Sequence, residues 1–180
     1  MPESRSAIIR AYARWTALSA LRSGSPVKSR ADIYRLLDGV AFDTVLIGHG
    51  ALSGVAFAEW HEHETMSLCA RNARLGLGWA VKLVNVYLKT AAYVGDLGRP
   101  GIRECLHPPL DAGLWSGIER RFVGRRDILA HTHAASMIKD LRTYPVYAGV
   151  IAGCRKIAAE LGCRLIEVEQ LWTGADTPVT

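Results

Sequence analysis

The sequence predicts an all-α domain. Apolar residues recur at helical spacing between Gly and Pro breaks along most of the chain, and no stretch alternates apolar and polar residues as a half-buried strand does. Size agrees: 180 residues with 49% hydrophobic content suit one compact helical domain, residues 1–174, followed by a frayed tail at 175–180.

Residues 4–22 place Ile8, Ala11, Tyr12, Trp15 and Leu18 along one side of a helix, with Arg10 and Arg14 on its outer side. Gly24 and Pro26 stop it. A second helix starts near Ser29, carries Asp32 in its first turn, turns Ile33, Leu36 and Leu37 inward and ends around Gly39. Residues 43–52 read as loop or a single turn, because Gly48 and Gly50 follow Val45-Leu46-Ile47 at once. From Ser53 a helix runs to about Arg74, with Val55, Ala58, Glu62, Met66 and Cys69 tracing one face. His61 and His63 fall roughly 200° apart on it, so they cannot share a metal.

The central helix spans roughly Gly78 to Val94. Val81, Leu83, Val84, Val86, Tyr87, Leu88, Ala91 and Ala92 surround it, and a helix apolar all round is a buried one. Lys82, Asn85 and Lys89 recur at i, i+3 and i+7 and line one edge, where a cleft can open. Residues 95–110 form a long loop with Gly95, Gly98, Pro100, Gly101, Pro108 and Pro109, expected to be functional or disordered. Asp111 caps a helix holding Leu114, Trp115, Ile118 and Phe122, and Arg120, Arg121, Arg125 and Arg126 close it and open the next segment. Residues 127–142 are helical in part. Thr143-Tyr144-Pro145 opens a helix that runs through Tyr147, Val150, Ile151, Cys154, Ile157 and Ala158 to Gly162. A last helix, about Cys163 to Trp172, carries Leu165, Val168, Leu171 and Trp172.

The net charge of +5 permits a nucleic-acid partner without demanding one. Cys69, Cys105, Cys154 and Cys163 include no CxxC spacing, so no zinc ribbon or iron–sulfur site is expected. Glu3, Arg5 and Arg10 interrupt any secretory leader, and no run of eighteen apolar residues spans a membrane. The expectation is a cytoplasmic monomer with no metal, no cofactor and no membrane partner.

Lys82 is the only charge between Arg74 and Lys89. A lysine there is either a snorkelling surface residue or a nucleophile kept dry. Apolar surroundings push an amine toward its neutral, nucleophilic form. Asp111 follows Pro108-Pro109-Leu110 on a rigid elbow, and capping a helix is compatible with catalysis. Together the two side chains suit cleavage of an N-glycosidic bond. The carboxylate stabilises positive charge developing on the sugar, and the amine attacks C1′ to form a Schiff base. The Gly-rich turn at 75–78 brings backbone N–H groups near a phosphate.

Gly78-Trp79-Ala80-Val81-Lys82-Leu83-Val84-Asn85, followed by His107-Pro108-Pro109-Leu110-Asp111, resembles the archaeal 8-oxoguanine DNA glycosylases, a branch of the helix–hairpin–helix DNA glycosylases. In that branch a Lys-φ-φ-Asn helix is followed about thirty residues on by Pro-φ-Asp, and here Lys82 and Asp111 stand 29 positions apart. Ordinary helix–hairpin–helix enzymes keep a shorter separation. The resemblance covers about forty residues. It implies a helix–hairpin–helix glycosylase-like fold, Lys82 as Schiff-base nucleophile or its remnant, Asp111 as catalytic carboxylate, and Leu75-Gly76-Leu77-Gly78 as the hairpin on the DNA backbone. The implied partner is double-stranded DNA carrying a modified base, either 8-oxoguanine or a hypermodified phage base such as glucosylated hydroxymethylcytosine, and the implied roles are repair or defence against phage.

A flipped base needs stacking surfaces and polar readers; Trp60, His61, Trp79, Asn85 and Trp172 are the candidates. Gly76, Gly78, Arg120, Arg121 and Arg125 are candidate phosphate contacts. Two other readings stand beside this one. Arg126-Asp127-Ile128-Leu129-Ala130-His131 fits the R-[ND]-x-x-x-H pattern of HEPN ribonucleases, which are also all-helical. A helical DNA-binding module without catalysis is the other.

Overall fold

The structure is a computed structural model that describes residues 3–22 and 24–174. The expected tail at 175–180 lies outside the described residues. Every regular element among them is helical. In chain order these are α1 (Glu3–Arg22), α2 (Arg30–Asp38), α3 (Asp43–Leu46), α4 (Gly54–Arg71), α5 (Leu77–Leu88) running on through a π-helical turn (Lys89–Val94), α6 (Ile102–Cys105), α7 (Ala112–Arg121), α8 (Arg126–Thr132), a 3-10 turn (Ile138–Asp140), α9 (Tyr144–Leu161) and a 3-10 helix (Leu165–Leu171).

Helix α5 divides two hydrophobic cores. Ala80, Leu83, Val84 and Leu88 pack with α1, α2, α4 and α6 on one side. Leu77 and Val81 pack with Leu110, α7, α8 and α9 on the other. Its apolar circumference is therefore consumed from both sides, as the sequence requires. The last helix takes the tighter 3-10 form in place of an α-helix and buries Leu165, Ile166 and Val168. The Ser29 hydroxyl accepts from Asp32 N at 3.3 Å and the Ser53 hydroxyl from Ala56 N at 3.1 Å, so α2 and α4 begin where their caps predict. No helix among the described residues is long and apolar enough to cross a membrane.

Two face assignments are corrected. In α1 most of the expected stripe points outward: Ile8, Ala11, Tyr12 and Trp15 are exposed, Tyr12 stacks on Trp15, and of that stripe Leu18 alone is buried. The buried side is Ala13, Ala17, Leu18 and Leu21, whose small members let α1 lie close against α5. Arg10 and Arg14, expected outermost, reach Asp43 and Asp38 instead. In α4, Val55, Glu62 and Met66 face solvent, while Phe57, Trp60, His61, Glu64, Thr65 and Leu68 are buried. Polar residues lie inside because each is bonded there. Glu64 accepts from Ala41 N at 3.2 Å, and Thr65 donates to the His61 carbonyl at 2.8 Å.

Of the two expectations for the loop at 95–110, disorder is corrected. Residues 105–110 are all buried, α6 interrupts the loop, and Leu52 N donates to the Pro100 carbonyl at 2.8 Å. It is a packed strut between the cores. The face assignment for α1 is testable by urea denaturation. Trp15→Ser is expected to change stability by less than about 0.5 kcal/mol, and Leu21→Ala to cost about 2–5 kcal/mol. The reverse order would restore the outward side as the core face.

Candidate active site

Lys82 and Asp111 meet. Lys82 lies on α5 with Nζ 3.5 Å from Asp111 Oδ2, and their side chains are 13% and 26% exposed. Both groups are thus sheltered but not sealed. Asp111 holds an extended backbone conformation at the N-cap of α7, and its Oδ1 accepts from Leu114 N at 3.1 Å. The same Oδ1 accepts from Trp172 Nε1 at 3.0 Å. With Oδ1 doubly occupied, Oδ2 is left for the amine. The Lys82 ammonium also stands 5.9 Å from the centre of the Trp79 ring, one turn back on α5. Two tryptophans therefore attend the pair, Trp79 half-buried and Trp172 exposed.

Glycines on α7 seat Trp172. A Cβ at Gly113 would lie 2.5 Å from Trp172 Nε1, and one at Gly117 would lie 1.7 Å from the Leu171 carbonyl oxygen. Thr173 Oγ1 donates to the Gly113 carbonyl at 3.3 Å. The i, i+4 glycine pair forms a bare track on which residues 171–173 lie. Just beyond Trp172, a groove of about 620 Å³ opens between the π-helical turn and the 3-10 helix. There Lys89 pairs with Glu169 at 2.6 Å and Tyr93 donates to Glu167 at 2.9 Å.

Three of the expected base-reading residues are elsewhere. Trp60 packs between Phe42 and Phe57 and donates its indole N–H to the Ala41 carbonyl at 3.2 Å. His61 and Asn85 are sealed in a polar knot beneath the pair, at 0% and 1% exposure. Asn85 Oδ1 can only accept, so His61 Nε2 donates to it (2.9 Å), and His61 Nδ1 accepts from the Tyr144 hydroxyl (2.9 Å). The Asn85 amide donates to the Tyr147 hydroxyl at 3.0 Å and to the Pro108 carbonyl at 3.4 Å. Tyr147 then donates to His107 Nδ1 at 2.8 Å. His107 Nε2 is buried without a hydrogen-bond partner. None of the three offers a surface to a base; His61 and Asn85 instead brace the Pro108–Leu110 segment that delivers Asp111.

Burial sets the proton affinities in the knot. It pushes the His61 imidazole down to about 4 against the lift of the Asn85 hydrogen bond. His107 falls well below its ordinary value through burial, helped by the adjacent His61, which disfavours a second proton in the knot, and by the Arg155 charge. Burial raises the Tyr144 and Tyr147 hydroxyls. Both imidazoles are neutral when folded.

Of the expected phosphate contacts, Gly76 is exposed with a φ of +65°, a conformation that favours glycine. Gly78 is corrected: it is buried, and a Cβ there would lie 1.9 Å from the Ile138 carbonyl oxygen, so its lack of a side chain serves packing. Arg120 and Arg121 are exposed at the end of α7. Arg125 is already engaged by Asp127 at 2.9 Å and Glu160 at 2.8 Å. A groove of about 480 Å³ runs past Gly76 and Trp79 and is edged by Arg74, Lys139 and Arg142. These cations were not among the sequence candidates, because Arg74 lies far along the chain from Lys139 and Arg142 and only the fold brings them to one groove.

Arg126 and His131 bound α8's motif. Arg126 is exposed, whereas the His131 Cβ abuts Gly153 of α9. Five residues apart, the two point roughly 140° away from each other around the helix. Among the described residues no group of three or more His, Cys, Asp and Glu side chains is placed to hold a metal ion.

No family model matches the chain, and no curated protein or solved structure matches it either.

Two outcomes are expected. Gly117→Ala drives residues 171–173 off α7, costing about 1–3 kcal/mol and changing the tryptophan fluorescence of the folded protein; an unchanged melting temperature and spectrum would contradict the glycine track. Stability is whole above about pH 6.5, the ordinary value for histidine, and is lost as pH falls toward 4, because the unfolded chain takes up protons that the folded one refuses. His61 alone accounts for on the order of 3 kcal/mol across that span. Urea titrations from pH 7 to pH 4 therefore give a flatter profile for His61→Gln than for the parent.

Proposed function

We propose that the protein is a DNA N-glycosylase that extrudes a modified base from double-stranded DNA and cuts its bond to C1′ with Lys82 and Asp111. The observation that carries the reading is the 3.5 Å approach of the amine to a carboxylate whose other oxygen is fixed by two N–H donors. These groups come from sequence positions 29 apart and occur in a helix-and-elbow pattern like that of the archaeal 8-oxoguanine glycosylases.

As the bond breaks, its electron pair leaves with the base and positive charge develops at C1′ and the ring oxygen. The Asp111 carboxylate stabilises that charge. The Lys82 amine, once neutral, attacks C1′ and gives up a proton as the sugar ring opens to an imine, and water then releases the amine and leaves an abasic site. Trp79 and Trp172 supply the stacking faces for the extruded base. The groove edged by Arg74, Lys139 and Arg142, with the exposed backbone at Gly76, takes the DNA backbone, and Arg120 and Arg121 add charge farther along. The substrate is a purine lesion such as 8-oxoguanine or a bulky phage base such as glucosylated hydroxymethylcytosine. The roomy groove beyond Trp172, with its carboxylates and amide, favours a base carrying a polar substituent.

Mass spectrometry of bases released from DNA containing each modification, with unmodified DNA as control, tests the reading. Asp111→Asn keeps a capping oxygen for Leu114 and Trp172 but removes the charge, and is expected to lower release at least about 100-fold. Lys82→Ala is expected to abolish borohydride trapping of the enzyme on DNA. If no free base appears from any DNA, the reading fails; binding without release would leave a non-catalytic module, and RNA cleavage lost on His131→Ala would favour the ribonuclease.

A further inference from the structure

Helix α1 is apolar on two sides. Its inner side, Ala13, Ala17, Leu18 and Leu21, is buried, and the helix packs on α5. Its outer side carries Ile8, Tyr12 and Trp15 with 69%, 54% and 52% of their surfaces exposed. Ten large apolar residues are exposed among those described, and no other element holds more than two of them. Single exposed apolar residues need no explanation, whereas three at i, i+4 and i+7 form one face. Tyr12 and Trp15 are already stacked, with ring centres 5.5 Å apart, so part of the ordering cost of a contact is met before it forms. A helix apolar all round is a covered one, as α5 is. Helix α1 meets the same description once its outer side is counted.

Charge decides what covers it. From Ser6 to Leu21 the only charged residues are Arg10 and Arg14. Arg10 is paired with Asp43 and Arg14 with Asp38. Among the described residues of α1, only Arg5 adds an exposed cation, near one end. An anionic lipid surface or a nucleic acid is held by several free cations beside the apolar residues, and a charged peptide by opposite charge. A second copy of the chain needs neither. Two molecules of net charge +5 touch most readily where charge is absent or already neutralised.

The order of residues points the same way. Ser4, Ile8, Ala11, Tyr12, Trp15 and Ser19 fall within about 100° of the circumference of α1. Their positions are palindromic about the midpoint between Ala11 and Tyr12: Ile8 and Trp15 are equally far from it, and so are Ser4 and Ser19. An isologous contact requires a surface that matches itself under a two-fold rotation. With the axis at that midpoint, two antiparallel α1 helices bring Ile8 level with Trp15 of the second copy and Ser4 level with its Ser19. Ala11 meets its own counterpart at the centre, where a small side chain lets the helix axes approach. The two Arg5 residues then stand about 20 Å apart along the axis, beyond the screening length of ~8 Å.

We propose that the outer arc of α1 is a dimer interface, an antiparallel helix pair formed with a second copy of this chain. The three large side chains offer roughly 350 Å² per copy. That is less than the ~800 Å² per partner of a standard interface, so the dimer is reversible and concentration-dependent. Helix α1 belongs to the first core and α7 to the second, and the proposal does not depend on the glycosylase reading.

Sedimentation equilibrium of the full chain, up to about 1 mM, tests it. The parent is expected to move from the mass of one chain toward that of two. Ile8→Glu sets a carboxylate against Trp15 of the second copy and is expected to weaken association about 30-fold or more, with an unchanged circular dichroism spectrum. Met66→Glu, at an exposed apolar position on α4, associates as the parent does. Under oxidising conditions Ala11→Cys is expected to form a covalent dimer and Ser4→Cys none, because antiparallel pairing holds the two Ser4 positions about 22 Å apart. A parent that stays at one mass throughout overturns the proposal, as does one whose mass climbs past two chains. So does an Ile8→Glu variant that associates as tightly as the parent, equal weakening by Met66→Glu, or cross-linking of Ser4→Cys as readily as of Ala11→Cys. If the parent stays monomeric and Ile8→Glu instead abolishes binding to anionic vesicles or to duplex DNA, the arc belongs to lipid or nucleic acid and the second copy is overturned.

Discussion

One carboxylate organises this molecule. Asp111 ends the packed segment that follows α6, caps α7, accepts the Trp172 indole and faces the Lys82 amine. The capping bond and the indole bond share Oδ1, which fixes the plane of the group and the direction of Oδ2. Residues from α5, α7 and the C-terminal 3-10 helix thereby converge on a single point. A capped helix start is a rigid mount, since the backbone on either side is already committed to other hydrogen bonds.

Beneath that point, polarity is used as mortar. The chain of bonds from Tyr144 through His61, Asn85 and Tyr147 to His107 runs through an otherwise apolar interior and takes hold of the Pro108 carbonyl. Such a network is worth having only if nearly every member is satisfied. Here one nitrogen, His107 Nε2, is not. The arrangement gives the residues just before Asp111 one position, at the cost of burying two imidazoles that must stay neutral.

Much of this was legible in the sequence, and the limits have physical causes. Ser29, Ser53 and Asp111 announce helix starts because a short side-chain oxygen before an apolar run has few better uses. The all-round apolarity of α5 announces its burial, and a lone Lys82 within it invites a search for a partner. The faces of α1 and α4 misled for opposite reasons. Ala13 and Ala17 bury a close helix contact while contributing little to an apolar stripe, and Glu64 and His61 are interior residues that resemble surface ones until their partners are known. Asn85 looked like an edge residue for the same reason. Partners 62 residues away, such as Tyr147, leave no mark at short range. The tight seating of Trp172 on Gly113 and Gly117 shows in hindsight as two glycines one turn apart on α7.

The Trp172 contact has a consequence in time. Asp111 and the indole that holds it are separated by 61 residues, and a ribosome adds residues at about 5–20 per second. For several seconds α1 to α7 can be complete while the carboxylate lacks its second donor and the glycine track on α7 lies bare. A half-made chain therefore has its amine and its acid but not the strap that aims them, so synthesis itself delays the moment at which the carboxylate is held in place.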